Sequence, residues 1–160
     1  MPMTLLAVAV AMFFMGAAAA LTQLRNLIPG EGVAARIDNA AWASAQVAEL
    51  YGAMCTNTAI SQPGVTSENI DVAMPTYVKV PSAAHSCVAQ ALPAGGRMIY
   101  AWMQTSPGAV GDVLEESGYS AVWHVVTGQG QARNLVTGDV LAVPVQIPVG
   151  ALVDIVYTSK

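Results

Sequence analysis

The chain has 160 residues, the length of one ordinary domain, with 54% apolar residues, only 10% charged residues and a net charge of −4. Average domains carry roughly 25% charge, so a surface built from Ala, Val, Gly, Thr, Ser and Gln is implied. The six basic residues, Arg25, Arg36, Lys79, Arg97, Arg133 and Lys160, are scattered, which excludes the clustered cations that nucleic-acid binding needs.

The first element is the apolar run Leu5 to Leu21, LLAVAVAMFFMGAAAAL. Extended from Met3 to Leu24 it covers 22 positions without a charge. As a helix this is roughly 33 Å, the thickness of a bilayer's hydrocarbon core. The segment reads as a membrane anchor, because a backbone in lipid must satisfy its own hydrogen bonds. Gly16 and Ala17 to Ala20 give it a slim face for another helix. A cleaved signal peptide ending near Ala20 and a buried core helix are the competing readings. Arg25 and Arg36 follow the run and bias the chain weakly toward a cytoplasmic C-terminus. The cysteines argue for the opposite, oxidising side.

Pro29, Gly30 and Gly32 break the first helix. A second, amphipathic helix is predicted from about Val33 to Met54. Its apolar stripe is Ile37, Ala41, Ala45 (or Ser44), Ala48 and Tyr51, widened by Trp42, Val47, Leu50 and Met54. Thr56 to Met74 reads as a polar loop, with a helical turn near Ser67 to Ala73. Strands are predicted at Thr76–Val80, Ser86–Leu92 and Arg97–Met103, the last two joined by the turn Pro93–Gly96. Ser106-Pro107 is the expected start of a helix ending at Gly118, with Ser106 as hydroxyl cap. Four further strands follow at Tyr119–Thr127, Gln131–Val136, Val140–Val145 and Leu152–Tyr157. The expected fold class is α+β: two N-terminal helices, then a mostly antiparallel sheet with one inserted helix. Residues 1–28 are the expected anchor and 29–160 the expected soluble domain.

Chemical motifs are sparse. Cys55 and Cys87 are the only cysteines; an exported domain favours a disulfide between them across the long polar loop, and two unrelated buried thiols are the alternative. His85, His124 and the two cysteines supply enough atoms for a zinc site or a Cys–His pair, but in no familiar spacing. Asp112, Glu115 and Glu116 fit the wet side of a short helix better than an acid–base pair. Gly128-Gln129-Gly130 sits between strands and is a hairpin turn, not a phosphate loop. No catalytic, cofactor or metal residue is assigned, and no enzyme activity is expected. Trp42, Trp102, Trp123, Tyr100 and Tyr119 are assigned to the core, with one or two of them free to anchor a partner.

An apolar helix leading into an amphipathic helix and a small sheet is the pilin plan. Met3-Thr4-Leu5-Leu6 resembles the start of a mature type IVb pilin, although Ala7 stands where that family has Glu and Pro2 where its leader has Gly or Ala. The chain resembles more broadly the PilM family of thin, type IVb pili of conjugative plasmids and related islands. That likeness rests on size, the uncleaved hydrophobic start, Gly118-Tyr119-Ser120 through Gly128, and Ile147-Pro148-Val149-Gly150-Ala151-Leu152-Val153. The resemblance implies a single-pass inner-membrane accessory protein of pilus assembly, with its domain in the periplasm. Its partners would be assembly proteins and pilin, and self-association stays open. A pilin-like filament subunit and a secreted binding domain are the alternative readings.

Overall fold

A computed structural model describes residues 31–78 and 85–159. The expected anchor, Leu5 to Leu21, lies outside the described residues. Among the described residues, no helix is long and apolar enough to cross a membrane. The chain divides into two compact units, Met1–Arg36 and Ile37–Lys160.

Helix α1 runs from Glu31 to Ser61, 31 residues rich in alanine, which loses no side-chain entropy in a helix. Ala41, Ala45, Ala48, Tyr51, Cys55 and Ala59 are buried, three or four residues apart; Ala45 to Ala59 form the face laid on the sheet, and Ala41 lies against Gly108. The expected stripe therefore holds from Ala41 onward. It fails at Ile37 and Trp42, which are exposed, and residues 32–40 are exposed throughout. The helix continues past Met54 because Cys55 and Ala59 keep the apolar period. It stops before Pro63-Gly64, where Gly64 has φ of +79°.

The sheet is antiparallel with six strands: β1 (His85–Ala91), β2 (Arg97–Met103), β3 (Trp123–Gly128), β4 (Gln131–Asn134), β5 (Val140–Ala142) and β6 (Leu152–Thr158). Their order is β1-β2-β6-β3-β4-β5, so the last strand is inserted at the centre. The β1–β2 hairpin forms at the expected Pro93–Gly96 turn, with Gly95 and Gly96 at positive φ. Helix α2 (Ala109–Glu116) links β2 to β3 and buries Ala109 and Val113.

Alternation along the strands separates two cores. Cys87, Ala89, Ile99, Ala101, Met103, Trp123 and Leu152 face the helices. Val88, Tyr100, Val126, Val153 and Ile155 form the second core with Val143, Ile147 and Ala151 from the β5–β6 connection. Both faces of the central strands β2 and β6 are thus covered, which is why these two read as nearly continuous apolar runs.

Several expected boundaries move for identifiable reasons. Ser67–Ala73 forms no helical turn. Ser67 exchanges backbone bonds with Ala89, and Ile70 N–H donates to Cys87 O at 2.7 Å, so this stretch covers the open edge of β1. Thr76 and Tyr77 lie in a turn, closed by Val78 N–H on Pro75 O, rather than a strand, and Lys79 and Val80 lie outside the described residues. Helix α2 starts from Gly108 at φ of +94° without a side-chain cap. The Ser106 carbonyl, not its hydroxyl, accepts from Ala109 N–H. Tyr119 adopts φ of +61° and is exposed, so β3 begins only at Trp123. The strand from Val140 ends at Ala142, because Pro144 has no N–H for a ladder and its carbonyl closes a turn with Ile147.

Two long-range ties fix α1 to the sheet. Cys55 and Cys87 form a disulfide, their Cα atoms 5.6 Å apart and 32 positions apart in sequence. Arg97 is buried and its guanidinium donates to the carbonyls of Ala59, Gln62 and Val65 at 2.7–3.0 Å, satisfying groups at the C-terminal end of α1 that the helix itself leaves open. Closing a loop of this length stabilises by about 3 to 4 kcal/mol in the chain-entropy model. The double variant Cys55→Ala/Cys87→Ala should lose about that much in urea denaturation. Dithiothreitol should shift the wild type toward the variant and leave the variant unchanged.

Candidate functional site

Four polar or charged side chains are buried in the described residues: Arg97, His124, Asn134 and Asp154. Three have evident partners. Arg97 caps α1. His124 Nδ1 lies 2.8 Å from Val122 O and Nε2 3.2 Å from Asn134 Nδ2. In the consistent tautomer Nδ1 donates and Nε2 accepts. Asn134 Nδ2 also donates to Ala121 O, and Asn134 Oδ1 accepts from the N–H groups of Val136 and Thr137. This network fixes the turn after β4. Burial holds the His124 ring below its ordinary pKa, against the opposing effect of the Val122 carbonyl, so the neutral ring is the stable form.

Asp154 differs. It sits mid-strand on β6, beside Ala101 of β2 and Trp123 of β3, on the face where its neighbours are apolar. It is 7% exposed, and its Oδ1 has no hydrogen-bond partner. Burial pushes its carboxyl up to about 6. Above it α1 carries Gly52, where an added Cβ would lie 2.7 Å from Asp154 Oδ2 and 3.3 Å from its Cβ. A glycine inside a helix costs about 1 kcal/mol relative to alanine. Here it is the only residue that leaves room for the carboxylate.

Asp154 lines an open cleft of about 390 Å³ between α1, the α2–β3 connection and strands β3 and β6. Glu49, Ala53, Thr56 and Asn57 form the α1 wall. Ser117, Ser120 and Val122 form the opposite one, and Trp123 and Val156 lie beside Asp154 on the sheet. Glu49 Oε1 and Thr56 Oγ1 are also buried without partners. The Glu49 carboxyl is raised above its ordinary range by burial and, secondarily, by Glu116. Glu116 itself accepts from Gln46 Nε2. No residue lining the cleft is basic.

The residues singled out from sequence do not converge. Cys55 and Cys87 are joined to each other, and Tyr51 packs edge-on against His85 with ring centroids 5.1 Å apart. His124 belongs to the opposite face, in register with Val153 and Asn134. Among the described residues, no group of three or more His, Cys, Asp or Glu could hold a metal ion. Of the aromatics assigned to the core, Trp123 and Tyr100 are buried and Trp102 half-buried. Trp42 is 56% exposed and Tyr119 also points outward. Trp42 lines a second groove with Ile37, Asp38, Ala41, Pro107 and Gly108. Asp154 and Gly52 were missed in sequence. The signal available was an acid inside the apolar run Leu152–Tyr157.

The chain matches no protein-family model, and no curated protein or solved structure gives a significant match.

Two outcomes follow for the cleft. The native state of Asp154 binds its proton more tightly than the unfolded chain, so this residue's contribution to stability falls as pH rises from about 4 to about 6 and is then constant. Two pH units correspond to roughly 3 kcal/mol. Asp154→Asn should therefore be more stable than wild type by about 1–3 kcal/mol at neutral pH and nearly equal to it near pH 4, by urea denaturation. His124 titrates in the opposite sense, losing stability as pH falls below its ordinary 6.5, but contributes equally to both proteins. Gly52→Ala should destabilise the wild type and stabilise an Asp154→Ala background by about 1 kcal/mol. The same sign in both backgrounds would refute the contact.

Proposed function

We propose that this protein is a non-enzymatic, membrane-anchored accessory component of a type IVb pilus or related secretion apparatus, acting through protein–protein contacts on the periplasmic side. The observation that carries the reading is the division of α1. Its stretch 32–40 is exposed on all sides, whereas its later turns are fastened to the sheet by small residues, a disulfide and Arg97. In the sequence this stretch follows the apolar run of residues 3–24, so α1 connects the expected anchor to the domain. The disulfide accords with an oxidising compartment. Exposed Trp42 and Ile37, on α1 beside the start of α2, are side chains suited to contact with assembly proteins.

A helix laid along an antiparallel sheet by its C-terminal part is also the arrangement of a pilin-like subunit. That second reading places the protein within the filament itself.

The full-length chain expressed with its own pilus system should remain in carbonate-washed inner membranes. A photo-crosslinker in place of Trp42 should capture named pilus-assembly proteins. Trp42→Ala should reduce that co-purification at least about threefold without changing the thermal midpoint, since an exposed side chain adds little to stability. Recovery in sheared filaments would support the subunit reading instead. Recovery from the periplasm as a soluble chain beginning near Leu21 would overturn both.

A further inference from the structure

Of the polar atoms buried without a partner among the described residues, three belong to the same cleft: Glu49 Oε1, Thr56 Oγ1 and Asp154 Oδ1. They come from two elements far apart in sequence, α1 and β6. Thr56 lies two turns, roughly 10 Å, along α1 from Glu49, so the three do not converge on one point. A buried acceptor left open costs about 1–3 kcal/mol, and more when charged, so the two carboxylates, Glu49 and Asp154, are the acceptors that gain most from a donor.

We propose that this cleft binds a primary alkylammonium group, its N–H donors taken by the Glu49 and Asp154 carboxylates and its methylene stem lying along Ala53, Val122 and Val156. Ionised carboxylates only accept, and an ammonium has three donors and no acceptor, so the two inventories match. The acceptors sit on separate side chains rather than in the coplanar pair that a guanidinium fork prefers. Calcium takes six to eight oxygens, commonly with several carboxylates, and the cleft's lining brings only Glu49 and Asp154. The apolar wall has no use for a bare ion but covers an alkyl stem. Such a group reaches the cleft either as a free amine or as the lysine side chain of a protein. The inference stands apart from the pilus reading, since it rests only on the cleft.

The test is calorimetric titration of the full-length chain at neutral pH with n-butylammonium and with Nα-acetyl-lysinamide. 1-Butanol, tetramethylammonium and calcium chloride serve as controls. Saturable binding of at least one primary ammonium is expected, with no binding of butanol or of tetramethylammonium, which has no N–H. Preference for acetyl-lysinamide would point to a protein-borne lysine, and preference for butylammonium to a free amine. Asp154→Asn and Glu49→Gln should each weaken binding about tenfold or more, as loss of a charge-assisted bond does. Since Asp154→Asn is expected to be more stable than wild type, its loss of binding cannot be put down to unfolding. No saturable binding, equal affinity in both variants, or calcium binding in place of ammonium would overturn the proposal.

Discussion

The docking of the later turns of α1 on the sheet is the constraint on which the rest of this structure depends. Ala45, Ala48, Tyr51, Cys55 and Ala59 share one buried cluster with Cys87, Ala89, Ile99 and Ala101 of the strands beneath. There the Cys55–Cys87 bond joins backbones whose Cα atoms are 5.6 Å apart, and Arg97 of β2 donates to Ala59 O and to Gln62 O just past the helix end. Both ties act at the C-terminal half of α1. Toward its start, Ser44 Oγ accepts from Ser106 N–H at 3.0 Å, and residues 32–40 are exposed.

The same docking places the cleft. Asp154 occupies a central strand position facing the helix, where a valine would close the core. Gly52 lies directly above it, and neither residue is optimal for its own element. Natural sequences break local rules mainly where function requires it. Here a helix-weakening glycine and a strand acid coincide in space, and the acid has a buried oxygen without a partner. By contrast, the buried His124 and Asn134 satisfy one another and hold a turn, which is the ordinary structural use of polar groups in a core.

Much of the architecture was legible from periodicity. The β2 strand, the Pro93–Gly96 turn, the inserted helix and the final strand stand within a residue or two of where alternation and turn chemistry put them. Misplaced boundaries have two causes. Pro144, and the left-handed backbone at Tyr119 whose N–H donates to Leu114 O, act locally, whereas the edge-covering by Ser67–Ile70 answers to Cys87 and Ala89, which local propensity does not contain. Trp42 was assigned to the core because helical spacing allowed it. Whether a sheet lies beneath that turn of the helix is a tertiary question, and it does not.

By itself the sequence determined the α+β class, the mostly antiparallel sheet, the candidate disulfide and the lack of any recognisable catalytic or phosphate-binding motif, because these follow from residue types and their local spacing. Only the tertiary structure decided that β6 enters the sheet between β2 and β3. That insertion carries Asp154 beneath Gly52 and into the cleft that Glu49 and Thr56 also line. The cleft joins residues about a hundred positions apart. Its chemistry is the product of strand order, a quantity no local pattern encodes.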